Sequence, residues 1–333
     1  MLPAKTRGAI PGWLLPLFAG IFLLLAGSGI WLYQHEKARA LNAVAEQLEA
    51  VATLLNREIV NWRQERYADG KTLSESTGLI SEIARVINKD PSANTAHVLN
   101  RMRSFGTNYR YHDAILIDLK NKIHLSAIGR SKPITGEILA DIEKAMLTRK
   151  PVITDIHRSP DTGKPHMDVV VPLLIGKNEN AKQIGTILLQ IDLGAFLYPI
   201  LENWPLPSQT AEALLVRQDG NDALFLNQLR FRKDSALNMR IPSSENEVPS
   251  VMAIFGGKLG MVEGKGYDGT PVLAFISKVT DSNWTLIAKI SRAEALASWH
   301  FASYMIIAVT LGLLLAATGI FGYLYQSHGT QRY

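Results

Sequence analysis

The chain has 333 residues, enough for more than one domain, and it contains no cysteine, so disulfides, thiolate metal sites and cysteine nucleophiles are excluded. The formal net charge is only +5, and lysine and arginine are not concentrated in a stripe, so nucleic acid is not expected as a partner.

Two uncharged stretches, residues 10–33 and 301–325, predict helices that cross a membrane. About 20 apolar residues cross a hydrocarbon core of about 30 Å, and in lipid the backbone has to satisfy its hydrogen bonds within a helix. A cleaved signal peptide is the alternative for the first stretch, but the apolar run continues to Tyr33, past a weak cleavage site at residues 26–28. We therefore expect two spans, at residues 10–33 and 298–325.

The short flanks of the spans predict their orientation. Residues 1–9 contain Lys5 and Arg7 and no acidic residue, which favours a cytoplasmic location. With two spans, the tail at residues 326–333 is cytoplasmic too. The long segment between the spans is then extracytoplasmic.

The outer segment begins with a predicted long helix, residues 34–68, which is expected to end at Asp69-Gly70. Apolar residues recur in it every three or four positions and form one stripe: Leu41, Val44, Leu48, Val51, Leu55, Ile59 and Trp62. The stripe is close to a heptad seam. Two interpretations remain open: it packs against its own domain, or part of it pairs with a second copy of the chain in a homodimer.

Residues 69–203 predict a first module. Two short helices are followed by a hairpin in "DAILIDLKNKIHLSAIG", a helix at residues 134–149, a short extended segment, and two apolar strands in "HMDVVVPLLI" and "QIGTILLQIDL". This order indicates an antiparallel sheet with helices on one face, which is an α+β fold.

Residues 204–297 predict a second, smaller module. Pro205 and Pro207 exclude a helix at the connector, and a hairpin then turns at Asp219-Gly220-Asn221. Three more strands follow. Because this order repeats that of the first module, we interpret the outer segment as an internal structural duplication.

Polar residues that could form a site are concentrated in "DIHRSPDTGKPHMD", residues 155–168. Residues two apart on a strand face the same side, so four polar side chains converge if the two strands are neighbours. Residues near the hairpin could join them. The predicted ligand-binding residues are therefore Tyr109, Tyr111, His124, Ser126, Asp155, His157, His166 and Asp168.

Three interpretations of this cluster remain open. It is a solvated edge with a turn at Asp161-Thr162-Gly163, or it binds a small polar or anionic ligand, or His157, His166 and Asp168 hold a divalent metal. We assign no metal site and no cofactor at this stage. Without a GxSxG, HExxH or comparable motif, no catalytic residue is assigned and the chain is not expected to be an enzyme.

Three stretches resemble one family: "IVNWRQERYAD", "FLYPILENWPLPSQTAEALLVRQDGNDALFLNQLRF" and "KGYDGTPVLAFISKVTDSNWTLIAKISRAEAL". They are similar to the double Cache sensor domains of bacterial transmembrane receptors, and most like those of sensor histidine kinases with PAS domains. The resemblance covers residues 40–297. It implies two tandem PAS-like modules on a long N-terminal helix, a membrane-distal one at residues 69–203 and a membrane-proximal one at residues 204–297. The Arg-x-Trp-Tyr stretch of amino-acid-binding members is replaced by "NYRYHD", which puts an amino-acid ligand in doubt.

The resemblance also implies a location and a role. The chain would lie in the bacterial inner membrane with its sensor domain in the periplasm. It would bind a small ligand and pass a conformational change through the second span to a cytoplasmic signalling module, a histidine kinase that acts on a response regulator. The alternatives are the input of a diguanylate cyclase or chemoreceptor, or a ligand-free envelope scaffold. Since no kinase or cyclase motif follows the second span, we expect a truncated receptor.

Overall fold

The computed structural model describes residues 13–130, 132–160, 162–176 and 181–330. The predicted orientation signal at Lys5 and Arg7 lies outside these residues. The helices are α1 (Leu14–Ser74), α2 (Thr77–Ile87), α3 (Thr95–Tyr109), α4 (Ile138–Thr148), α5 (Leu197–Glu202), α6 (Pro249–Ile254), α7 (Arg292–Ala295) and α8 (Ala297–Thr330). The strands are β1 (Tyr111–Asp118), β2 (Ile123–Ser126), β3 (Val152–Ile153), β4 (His157–Arg158), β5 (Pro165–Ile175), β6 (Lys182–Asp192), β7 (Glu212–Asp219), β8 (Asp222–Phe225), β9 (Arg240–Pro242), β10 (Gly260–Lys265), β11 (Pro271–Lys278) and β12 (Thr285–Ser291).

The chain divides into two compact units, and one of them consists of residues 1–47 and 290–333. Its two helical segments, the start of α1 and α8, are long and apolar enough to cross a membrane. They pack against each other within this unit, since Phe18 stacks on Phe321 with ring centroids 4.4 Å apart and Tyr33 meets the ring of Trp299 edge-on at 5.4 Å. The apolar outer surface of this helical pair fits a membrane anchor.

The other unit, residues 48–289, contains both sheets and the second half of α1. The predicted break at Asp69-Gly70 is wrong, because α1 continues to Ser74. Gly70 is buried where α1 crosses the sheet, and a Cβ atom there would lie 2.7 Å from Cγ1 of Val169. The glycine is thus needed for close packing of the helix, not for a turn.

The apolar stripe of α1 is buried within this unit from Leu48 onward; its buried members are Leu48, Val51, Leu55, Ile59 and Trp62. Pairing with a second copy through these residues is therefore wrong. Of the residues in the stripe, only Leu41 and Val44 are partly exposed and could still pair with a second copy.

The distal sheet has the strand order β2-β1-β6-β5-β3, and β4 also pairs with β5. Helices cover both of its faces, so the predicted one-sided arrangement is wrong. One face packs against α1, α2 and α3, and the other packs against α4. The reason is visible in the strands, because Val169, Val170 and Val171 are all fully buried. A strand with a continuous apolar run can be buried on both of its faces.

The proximal sheet has the order β10-β11-β12-β7-β8-β9. Its hairpin turns at Gly220-Asn221, as predicted, between Asp219 and Asp222. The short strand β9 and the helix α6 were not predicted from the sequence. One face of this sheet joins the core under α1, and the other forms a separate core with α6. Two antiparallel sheets of similar order on one long helix confirm the α+β fold class.

Candidate functional site

The pairing of β4 with β5 brings the two histidines of the predicted cluster together. His157 lies directly opposite His166 in the antiparallel ladder. Asp168 is two residues further along β5 and so lies on the same face as His166. Thr154 fixes the register, since its Oγ1 accepts from the backbone N–H of Asp168 at 2.9 Å and its own N–H donates to the Asp168 carbonyl.

The three side chains converge on a single oxygen. Oδ2 of Asp168 lies 3.3 Å from Nε2 of His157 and 3.2 Å from Nε2 of His166, and the two imidazole rings have centroids 4.2 Å apart. Asp168 is 1 % exposed and His166 is 6 % exposed. Nevertheless, neither Oδ2 of Asp168 nor Nδ1 of His166 makes a hydrogen bond with any residue that the structure describes.

The electrostatics of the cluster follow from burial and from the opposite charges. Burial by itself would raise the pKa of Asp168, but the two histidines outweigh it and lower that pKa to about 2. Burial by itself would lower the pKa of His157, but the contact with Asp168 and the Asp155 carbonyl raise it. The two histidines therefore favour the ionised form of Asp168.

These residues line a cavity of about 420 Å³ between the two sheets. That volume is within the range of small-molecule sites, about 300 to 1,000 Å³. The residues that line it come from β4, β5, β6 and the segment that leads into α4 in the distal module, and from β7, β8 and β9 in the proximal module. Four of them are arginines: Arg130, Arg158, Arg217 and Arg240.

Two of the cavity arginines are paired with carboxylates. Arg217 donates to Asp155 at 2.9 Å, and Arg240 donates to Asp219 at 2.7 Å. Arg158 instead donates to neutral oxygens, the carbonyls of residues 163 and 236 and the side chain of residue 238. None of these three described partners carries a charge, so the positive charge of Arg158 suits a cavity for an anion.

Asp155, which the sequence placed in the site, connects the two modules instead. Its carboxylate accepts hydrogen bonds from Arg217, from Nδ2 of Asn283 at 2.8 Å and from Nε1 of Trp284 at 2.8 Å. Arg63 of α1 also contacts Trp284, because its guanidinium lies 4.6 Å from the centroid of the Trp284 ring. We call Asp155, Arg217, Asn283 and Trp284 the inter-module cluster.

The four predicted residues near the hairpin are not brought to this cavity. Tyr109 is exposed at the end of α3, and Tyr111 donates to Asp69 of α1 at 2.8 Å. His124 contacts Asp118 at 3.1 Å, and Ser126 donates to the buried carboxylate of Asp113.

The predicted turn before β5 is present in its described part. Gly163 has a φ of +67° and its N–H donates to the Ser159 carbonyl at 2.9 Å, whereas Asp161 lies outside the described residues. This turn leaves the cluster itself buried, so the solvated-edge interpretation does not describe His166 and Asp168.

The cavity arginines were missed by sequence reasoning. They are separated by up to 110 positions in the chain and no local motif links them. The one sequence signal that bears on them is the resemblance of the second module to the first. It predicts that the two modules pack together, but it does not predict which loops are in contact.

Comparison with known proteins assigns the chain to a family. The family model described as "Cache domain" matches residues 37–299. No significant match was found among curated proteins.

Several solved structures share the fold at low sequence identity. The sensory domain of the Campylobacter jejuni chemoreceptor Tlp3 has a TM-score of 0.54 and 11 % identity, and the match covers 79 % of this chain and 99 % of that one. The extracellular domain of rpHK1S-Z16, described as a candidate histidine kinase, has a TM-score of 0.51, 12 % identity and coverages of 78 % and 99 %. The ligand-binding domain of the Pseudomonas aeruginosa chemoreceptor PctB, in complex with L-Arg, has a TM-score of 0.50, 14 % identity and coverages of 77 % and 98 %.

Proposed function

Because the chain belongs to the Cache domain family, we propose that it is a membrane-anchored sensor that binds a small anionic ligand in the cavity at His157, His166 and Asp168. The observation that carries this proposal is the set of four arginines around that cavity. Arg158 supports it most directly, since its partners among the described residues are neutral oxygens and its charge can pair with a carboxylate, sulfonate or phosphate.

The ligand signal is proposed to leave the cavity through the inter-module cluster. His157 contacts the backbone carbonyl of Asp155, whose carboxylate binds Trp284 at the start of the segment that enters β12. After β12 the chain continues through α7 and Leu296 into α8, the second apolar helix. A ligand shifts such a system only through its different affinities for two states, and couplings of about 1 to 3 kcal/mol are typical.

The output and the membrane topology form a second part of the proposal. We infer that both termini lie in the cytoplasm, with the Cache domain in the periplasm of a bacterium, from the charges of residues 1–9 and the two apolar helices. We infer a homodimer and a histidine kinase output that acts on a response regulator. The similarity to rpHK1S-Z16 supports the kinase, whereas Tlp3 and PctB make a chemoreceptor the alternative.

Thermal melting of the full chain in detergent micelles tests the ligand proposal. The panel contains small carboxylates, sulfonates and phosphates, each with a neutral analogue of the same size. A ligand at 100 times its dissociation constant stabilises the folded state by about 2.7 kcal/mol. We expect at least one anion to raise the melting temperature and its neutral analogue to have no effect.

Two arginine variants make the test specific. Arg158→Ala should abolish the stabilisation. Arg230→Ala should retain it, because Arg230 also donates to backbone carbonyls, at residues 208 and 211, but lies away from the cavity. If no anion stabilises the chain, or if both variants lose the effect equally, the ligand proposal fails and a ligand-free scaffold becomes the better explanation.

A further inference from the structure

The geometry of His157, His166 and Asp168 points to a metal ion, and we propose that these three side chains bind a divalent transition metal, with Zn²⁺ as the best match. The inference deepens the proposed function and rests on its cavity, because the ion would form part of the wall to which the ligand binds.

The distances from Asp168 to the two histidines fit a tetrahedral ion. Metal–ligand distances of about 2.1 Å place neighbouring ligands of a tetrahedron about 3.4 Å apart. The two nitrogen–oxygen distances to Asp168 are 3.2 and 3.3 Å, and one donor atom from each of the three residues lies within 4.8 Å of the others. Hydrogen bonds of this type are shorter, most often about 2.9 to 3.0 Å.

The unsatisfied atoms are a second, independent observation. Oδ2 of Asp168 is buried and accepts no hydrogen bond from the described residues. A buried polar atom without a partner is unfavourable, because it has lost its hydrogen bonds to water. An ion bound to Oδ2 would give this atom a partner, which the two imidazoles at 3.2 and 3.3 Å do not provide by a hydrogen bond.

The surroundings of His157 prepare it for metal binding. Its Nδ1 lies 2.9 Å from the Asp155 carbonyl oxygen, which can only accept, so in the neutral ring the proton is on Nδ1 and Nε2 is the nitrogen that can bind a metal. Metal-binding histidines have an outer partner of this kind on the other ring nitrogen. The same Nε2 faces Asp168.

The donor set also selects the class of ion. Two imidazoles and one carboxylate favour zinc and neighbouring transition metals, while Mg²⁺ and Ca²⁺ prefer oxygen ligands alone. Three protein ligands leave a fourth position open, as in sites where zinc also binds an exchangeable molecule. Because this position opens to a cavity lined by arginines, an anionic ligand would complete the coordination.

Binding of the metal alone tests the inference without knowledge of the organic ligand. The full chain, purified without a histidine tag and stripped with a chelator, is titrated with Zn²⁺ against a chromogenic competitor and with Co²⁺ by visible absorption, at one fixed pH. We expect one ion per chain and the visible bands of tetrahedral Co²⁺. His157→Ala, His166→Ala and Asp168→Asn should each weaken Zn²⁺ binding by roughly 100-fold or more, beyond the roughly 10- to 100-fold loss caused by an outer-shell change.

His124→Ala is the matched control. His124 also lies 3.1 Å from an aspartate, but Asp118 accepts two backbone N–H groups through Oδ1 and there is no second histidine. This variant should bind Zn²⁺ like the parent chain. Each variant is compared with its parent by thermal melting in chelator, so that loss of folding is not mistaken for loss of a ligand.

His157→Cys provides a positive readout. The chain has no cysteine of its own, so a thiolate-to-cobalt charge-transfer band can arise only if the new side chain binds the ion. Absence of that band in a folded variant that still binds Co²⁺, or equal Zn²⁺ affinity in the parent and in His166→Ala, overturns the inference. Anion binding that persists in chelator would leave the proposed function standing, and metal binding without any anion response would leave the metal site standing.

Discussion

Replacement of Asp155 by alanine should destabilise the outer domain more than the loss of any surface ion pair. The substitution removes the carboxylate that joins the distal module to β7 and to the segment before β12. Four donors then lose their acceptor: Nη1 of Arg217, Nδ2 of Asn283, Nε1 of Trp284 and the backbone N–H of Ile156.

The magnitude follows from the burial of these donors. Trp284 is 1 % exposed, so its unpaired N–H should cost about 1 to 3 kcal/mol. The side chains of Asp155 and Arg217 are 26 % and 17 % exposed, so solvent reduces the loss of this ion pair below the 3 to 5 kcal/mol typical of full burial. We expect a total loss of about 3 kcal/mol, which lowers the melting temperature of a domain of this size by about 6 to 12 °C.

The assay is tryptophan fluorescence of the full chain in detergent micelles during heating. Asp219→Ala is the control, since it removes another Asp–Arg pair from the rim of the same cavity, with side chains 39 % and 44 % exposed. An exposed pair contributes about 0 to 1 kcal/mol. Asp155→Asn should fall between the two, because its amide oxygen can still accept from Trp284. Equal shifts in Asp155→Ala and Asp219→Ala would refute the reasoning.

Two further stability predictions use the same melting assay. Lys289→Met should destabilise the chain by about 3 to 5 kcal/mol, because the Lys289 ammonium lies 3.1 Å from Glu212 and both side chains are buried. Combination with Glu212→Gln should recover most of this loss. A double variant as unstable as Lys289→Met would contradict the prediction. Gly70→Ala should destabilise by about 1 to 3 kcal/mol through the clash with Val169, although the same change in an open helix stabilises by about 1 kcal/mol. Gly78→Ala in α2, where a Cβ atom meets nothing within 4 Å, is its control, and a stabilising effect at both positions would show that α1 can move away from the sheet.

The order of helices and strands could be predicted because it depends on local sequence patterns. The change in the spacing of apolar residues between helix and strand, together with the turn residues, located α2, α3, the β1–β2 hairpin and the β7–β8 hairpin within a few residues. The end of α1 could not be predicted in this way. A glycine at position 70 has the same local signature whether it ends a helix or lets a helix approach a sheet, and only the position of Val169 distinguishes the two.

Only the part of the site that depends on strand pairing could be predicted from the sequence. The alternation rule put His166 and Asp168 on one face, and the pairing of β4 with β5 then added His157. The same rule could not separate Asp155 from His157. Two residues apart in an irregular segment, they point into different surroundings, because Thr154 to Ile156 lies between the short strands β3 and β4. The contribution of the arginines depends on how two modules pack, and no local pattern contains that information.

Segment 154–158 therefore has two roles that cannot be changed independently. His157 forms one wall of the cavity, and its Nδ1 contacts the carbonyl of Asp155, while the carboxylate of Asp155 accepts from Arg217 and Trp284 across the module boundary. Any ligand or ion that turns the His157 ring must either break its contact with the Asp155 carbonyl or move the backbone that carries the carboxylate. In the first case the cavity can fill without effect on the proximal module. In the second case the hydrogen bond that Trp284 donates to Asp155 changes with the state of the cavity, and Asp155→Ala should uncouple ligand binding from the proposed output.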